Sequence, residues 1–185
     1  LDWLEKQLPF PVHRVSKGNL AADSTSLRTS KGGKQYQKSS PPAFSAENGK
    51  LTGLLMRQCT EDYKLRPIFK KMRELAGRKG QVTQWIGISM DELQRVRQVR
   101  KSQEKWLSNR WPIIESRMTR THCLEWMRKH GYPKPPRSAC SFCPYNSNAE
   151  WRRLRDEEPL EFARAVEYEK DLQKTFHGVT GFRGT

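Results

Sequence analysis

Cys140-Ser141-Phe142-Cys143 is a Cys-x-x-Cys pair set between a proline-rich turn and Pro144. A turn of this kind aims two sulfurs at one point, as zinc and iron–sulfur centres require. Redox dithiols share the spacing but place it at a helix N-terminus after a strand. Pro144, directly after Cys143, argues against that arrangement. Two thiolates do not close a site, and the chain holds only two further cysteines, Cys59 and Cys123. The pattern therefore predicts one metal centre drawing on Cys59, Cys123, Cys140 and Cys143. Cys123 stands 17 positions before Cys140, whereas Cys59 must be brought in by the fold. His122 and His130 are reserve ligands. Taken singly, Cys59 and Cys123 also read as small buried hydrophobes. Four thiolates suit zinc and iron equally, so the metal stays open. Disulfides need an oxidising compartment, and no secretory pattern is present, so the expectation is a cytoplasmic protein.

Charge supplies the second chemical signal. The 185 residues carry a net charge of +15. Residues 51–137 hold 20 basic and 8 acidic side chains, residues 1–50 hold 8 and 4, and residues 138–185 hold 7 and 8. A field concentrated in one segment attracts polyanions. Lys64 and Arg66 flank Pro67, a residue suited to a first helical turn, where free N–H groups favour anions. Arg95, Arg97 and Arg100 can grip phosphate as planar forks, and Glu92 can orient Arg95 from one turn earlier. Each of these also reads as an exposed helical charge. Ser30-Lys31-Gly32-Gly33-Lys34 is basic and glycine-rich but matches no phosphate-loop pattern.

The elements that must position these groups follow from periodicity and punctuation. Residues 1–12 predict a short helix stopped by Pro9 and Pro11, and residues 12–15 a short strand. Residues 17–50, rich in Ser, Lys, Gly and Pro, predict a long surface loop. Ile68, Met72 and Leu75 recur at helical spacing up to Gly77. Val82–Ile88 is the best strand candidate, and the stretch from Asp91 to Lys105 starts as a helix. Residues 111–114 predict a short, partly buried segment. Thr121 is placed to cap a helix through Cys123 to Gly131, Asn148 one holding Trp151 and Leu154, and Pro159 opens a last helix with Phe162, Val166 and Leu172. Three parts result: 1–50, a basic 51–137 and a cysteine-bearing 138–185. A strand flanked by helices predicts an α/β layered domain. Mean hydropathy is −0.91, and no apolar run is long enough to span a membrane.

Arg57-Gln58-Cys59-Thr60-Glu61-Asp62-Tyr63-Lys64-Leu65-Arg66-Pro67-Ile68 resembles the Cys–Lys–Pro segment of the phosphoadenosine-phosphosulfate (PAPS) reductase family. Thr60 stands where that family carries a second Cys. Gly87-Ile88-Ser89-Met90-Asp91-Glu92-Leu93-Gln94-Arg95 is similar to its Gly-Ile-x-x-Asp-Glu segment, and the Cys-x-x-Cys-Pro agrees in position. The resemblance covers roughly residues 51–185. It implies the adenine-nucleotide α-hydrolase fold, a Rossmann-like parallel sheet with flanking helices and a helical C-terminal part bearing the cysteine-rich site. It implies a nucleotide partner, ATP or an adenylylated substrate, and adenylation or sulfur transfer, with DNA or tRNA as acceptors in related enzymes. It further implies a [4Fe–4S] cluster on Cys59, Cys140 and Cys143, with Cys123 in place of the missing partner. Lys64, Glu92 and Arg95 would lie near the nucleotide or substrate anions. The family's pyrophosphate loop and its C-terminal Cys nucleophile have no counterpart here. Reduction through a covalent Cys–sulfonate is therefore not expected. The abrupt Leu1-Asp2-Trp3 start fits a position downstream of the missing loop. The alternative reading is a non-catalytic, four-cysteine zinc protein that binds nucleic acid. Trp85, Trp126 and Trp151 are expected in the core, Trp106 and Trp111 as base-stacking residues, and Phe142 and Tyr145 as a shield for the metal centre.

Overall fold

The computed structural model of the chain describes residues 2–37, 40–48, 50–98, 105–135, 139–176 and 178–182. The chain divides into two compact units, one made of Leu1–Lys70 with Ala139–Thr185, the other of Lys71–Ser138. Among the described residues the architecture is mixed α/β, with helices and three small sheets. Among the described residues no helix is long and apolar enough to cross a membrane.

In the first unit, helix α1 (Asp2–Gln7) ends just before Pro9, as the sequence predicts. Residues 12–15 form no strand. Arg14 instead reaches back to Asp2 and to Glu5 at 2.8 Å, and a lone extended segment has no ladder to join. The expected loop over 17–50 is largely ordered. Asn19 caps helix α2 (Leu20–Thr25), its Oδ1 accepting from the N–H groups of Ala21 and Ala22. Strands β1 (Leu27–Thr29) and β2 (Gln35–Gln37) form an antiparallel hairpin. The basic glycine-rich stretch is its turn, with Gly33 at φ +78° donating to the Ser30 carbonyl. Strand β3 (Phe44–Glu47) lies between β4 (Lys50–Leu54) and β7 (Val179–Gly181), both antiparallel to it.

Helices α7 (Asn148–Glu157) and α8 (Pro159–Thr175) supply most of the apolar side chains for this sheet. Trp151 and Leu154 from α7, and Ala165, Tyr168 and Leu172 from α8, are buried with Ala43, Val179 and Phe182 in one core. The expected face of α8 is shifted: Phe162 and Val166 are only half-buried, and Ala165 and Tyr168 face inward with Leu172. Ser147, one residue before the expected Asn148, caps α7 by accepting from the Glu150 N–H.

A π-helical turn over Glu61–Leu65 runs directly into α3 (Arg66–Ala76), which passes from the first unit into the second. The Arg66 N–H already donates to the Glu61 carbonyl. The expected free N-terminus at Pro67 therefore does not exist. Proline lacks the N–H and crowds the carbonyl four residues back, and a wide π turn just before it relieves that conflict. Gly77, at φ +68°, stops α3 as expected.

In the second unit, β5 (Val82–Trp85) and β6 (Leu107–Arg110) pair in parallel, with Trp85 opposite Arg110. A 3-10 turn (Met90–Glu92) and α4 (Leu93–Gln98) follow β5. Among the described residues this two-stranded ladder is the extent of parallel pairing. Helix α5 (Pro112–Glu115) is the short, half-buried segment expected at 111–114. Helix α6 (Arg120–Lys129) carries Cys123 and is capped by Thr119 rather than Thr121. The Thr119 hydroxyl accepts from the His122 N–H, and His122 Nδ1 accepts from the Thr119 N–H.

Candidate metal centre

Two segments of the first unit present its three cysteines, and both are pinned. The approach to Cys59 is held by Ser40. Its hydroxyl donates to the Met56 carbonyl at 2.6 Å, and its N–H donates to Gln58 Oε1 at 3.2 Å. Beyond Cys59 the helical run is tied down by Asp62, buried and paired with Arg66 at 3.0 Å and Lys17 at 3.6 Å, and by Tyr63, whose hydroxyl donates to Asp23.

The Cys140–Cys143 turn is a tight knuckle in which the Cys143 N–H donates to the Cys140 carbonyl at 3.1 Å. Asn146, buried behind it, clamps the turn. Its Nδ2 donates to the carbonyls of Cys140 and Ser141, at 3.2 and 3.3 Å, and its own N–H donates to the Cys143 carbonyl. Phe142 points into the core, edge-on to Tyr168 at 4.9 Å and tilted against Phe182 at 5.9 Å. It therefore anchors the knuckle rather than capping it. Tyr145 is exposed, and the Arg57 guanidinium lies over its ring at 5.4 Å. That contact joins the residue two before Cys59 to the residue two after Cys143.

Cys59 and Cys143 both lie within electrostatic reach of Cys140. Burial pushes the Cys140 thiol up, and the neighbouring Cys143 and Cys59 push it further, while Lys64 and Arg57 pull it down. The Tyr168 hydroxyl beneath is raised to about 12 by burial and by Cys59 and Cys140, against a lowering hydrogen bond from Ser24. So Cys59, Cys140, Cys143, Lys64, Arg57 and Tyr168 share one neighbourhood. All four cysteines of the chain are free thiols and half-buried. Among the described residues no three His, Cys, Asp or Glu side chains converge in metal-binding geometry. The donor set fits a soft metal in its chemistry: three thiols from a helix start and a clamped turn, partly desolvated, with two cations to balance thiolate charge.

The remaining candidates are distributed differently. Cys123 sits half-buried on α6 in the second unit. His122 is used in the α6 cap, and His130 stacks on Trp126 at 4.1 Å, so both reserve ligands have structural work. Lys64 is exposed, and Arg66 is engaged by Asp62 and Glu61. Glu92 and Arg95 form an exposed pair at 2.7 Å in the second unit. The side chain of Arg97, and Arg100 altogether, lie outside the described residues. Arg57 and Asn146 were not singled out by sequence reasoning. Their proximity to the cysteine motifs, at two and three residues, is the signal that was available.

No protein-family model, no curated protein and no solved structure matches this chain.

Proposed function

We propose that the chain is a PAPS reductase-like, nucleotide-dependent enzyme of adenylation or sulfur transfer, with a thiolate-held [4Fe–4S] cluster. Its acceptor is nucleic acid and its setting the reducing cytoplasm. The observation that carries the reading is that Cys59, Lys64 and Arg57 all act electrostatically on the Cys140/Cys143 knuckle. The fold brings Cys59 within electrostatic reach of a pair 81 residues further on, and a soft metal is a ligand that such thiols suit. Cys59, Cys140 and Cys143 would hold the cluster, which would supply electron or sulfur chemistry when bound. Asn146 keeps the knuckle closed, Phe142 fixes it to the core, and Lys64 and Arg57 favour the thiolate forms and attract an anionic substrate. The parallel β5–α4–β6 crossover supports the Rossmann-like part of the reading, with Glu92 and Arg95 just beyond its first strand.

Anaerobic purification followed by iron, acid-labile sulfide and zinc analysis tests this. Iron with sulfide and a broad absorption near roughly 400 nm, lost in C59S and in C140S, is the expected result, together with ATP or adenylyl-substrate binding. Substituting Cys123 decides whether it supplies a further thiolate. Colourless protein with stoichiometric zinc refutes the sulfur-transfer reading. It favours instead a zinc protein that binds nucleic acid without turnover, a reading supported by the charge of the second unit: 16 basic against 6 acidic residues.

A further inference from the structure

The β5–β6 ladder has two unlike faces. Val82, Gln84, Leu107 and Asn109 face inward, and Leu107 is buried. Thr83, Trp85, Ser108 and Arg110 face solvent. Register places these four as two cross-strand pairs, Thr83 opposite Ser108 and Trp85 opposite Arg110. The hydroxyls of the first pair are 3.2 Å apart, and the Arg110 guanidinium lies 5.9 Å from the centre of the Trp85 ring. Trp85 is 69% exposed, although its place in an apolar strand predicts a core residue.

Leaving that much indole in water forgoes a large burial gain, so what covers it matters. A covering layer of helices would have to bury two hydroxyls and a guanidinium along with the ring, at a cost in desolvation. The alternation is instead that of a solvent-facing sheet. The unit that carries it has a net charge of +10. Arg110 is held by Glu115 through Nε at 3.3 Å and through a second, shorter contact, so its charge is positioned but partly neutralised. Lys105 is exposed two residues before β6.

We infer that the outer face of β5–β6 binds single-stranded nucleic acid, one base stacking on Trp85 beside Arg110 and the adjoining sugar–phosphate meeting Thr83, Ser108 and Lys105. A polyanion whose bases offer π-faces answers both the net charge and the exposed ring. A duplex keeps its base faces stacked and cannot use Trp85. An acidic peptide answers the charge alone. The inference rests on the nucleic-acid part of the proposed function and not on its metal centre.

The test is anisotropy of fluorescein-labelled single-stranded 12-mers, RNA and DNA of one sequence, titrated with the full chain over a range of salt. W85A is expected to weaken binding by roughly 5- to 100-fold with an unchanged salt slope, because stacking carries no charge. R110Q is expected to weaken it and to flatten the slope by less than about 0.7, because Glu115 already offsets part of the Arg110 charge. E115Q, which frees Arg110, is expected to tighten binding more than E125Q, an exposed change of equal charge on α6 of the same unit. Tighter binding of RNA than DNA assigns the hydroxyl pair to the ribose 2′-OH; equal binding assigns it to phosphate. Wild-type affinity in both W85A and R110Q overturns the inference. So does equal binding of the same sequence as duplex, or displacement by polyglutamate at equal charge. Metal content measured on the same preparations separates the two claims: loss of the metal centre with the W85A effect intact sinks the proposed function and leaves this face standing.

Discussion

Asn146 is the side chain through which the thiol arrangement can be tested without touching a thiol. Its Nδ2 closes the knuckle with two hydrogen bonds, while its buried Oδ1 has no partner among the described residues. Two neutral buried hydrogen bonds contribute about 2 kcal/mol together. N146A loses both but also discards an unsatisfied acceptor, so its net cost is about 1 kcal/mol. N146D keeps the shape, loses both donors and sets a carboxylate against two carbonyl oxygens. It should therefore cost at least about 2 kcal/mol. If the clamp pre-sets the thiols, the same energy appears in metal affinity, as about 5-fold weaker binding for N146A and about 30-fold for N146D. Cobalt(II) titration against a competing chelator, followed by its thiolate charge-transfer absorption, reads the affinity. Urea denaturation of the metal-free protein reads the stability. The order wild type, N146A, N146D is expected in both. Cobalt affinity unchanged in N146D refutes the idea that this side chain organises the site, whatever happens to stability.

Three further outcomes follow from the same unit. Leu172→Ala, at a fully buried core position, should cost about 3 kcal/mol in urea denaturation; a loss under about 1 kcal/mol would place Leu172 outside the core. Tyr168 is raised from 10.0 to about 12 in the folded chain. A raised pKa means its contribution is whole below pH 10 and is lost as pH climbs towards about 12. Wild type should therefore lose up to about 2 kcal/mol more than Y168F across that window, and equal losses would contradict the burial of its hydroxyl. K64Q removes a cation that lowers the Cys140 thiol, so Cys140 should alkylate more slowly than in wild type at pH 8, as tracked by mass spectrometry of the modified peptide. An unchanged rate would put Lys64 out of electrostatic reach.

What was legible in the sequence was what is local. α3 with its Gly77 stop, the strand at Val82 and the helices after Ser147 and Pro159 are marked by periodicity and by residues within one turn of their ends. The caps at Thr119 and Ser147 lie two and one positions from the expected Thr121 and Asn148, because several polar residues in a row compete for one role. Residues 17–50 read as loop because their strands are three or four residues long and take their order from distant partners. β3 needs β7, and Ser24 needs Tyr168. Trp85 and Trp126 read as core because a tryptophan in an apolar pattern usually is. Arg110 and His130 cover them only in part. Trp106, expected to stack bases, lies instead against Arg73 at 5.0 Å. At the candidate site Cys59, Cys140, Cys143 and Lys64 were singled out from spacing and resemblance, whereas Cys123, expected with them, sits in the other unit. The Asn146 clamp was not, since an asparagine after a proline turn has many uses.

The pairing of β3 with β7 has a consequence for how the protein is made. Residue 179 leaves the ribosome 135 residues after residue 44. At 5–20 residues per second, β3 waits roughly 7–27 s for its second neighbour. Throughout that interval one edge of the β3–β4 hairpin stays open, and until residue 143 is made Cys59 has no knuckle to meet. The Lys71–Ser138 unit, by contrast, is fully synthesised before Cys140 appears. Newborn chains therefore pass through a stage with one unit complete and the other ajar, a stage at which holdase chaperones have access to a strand edge that β7 later covers.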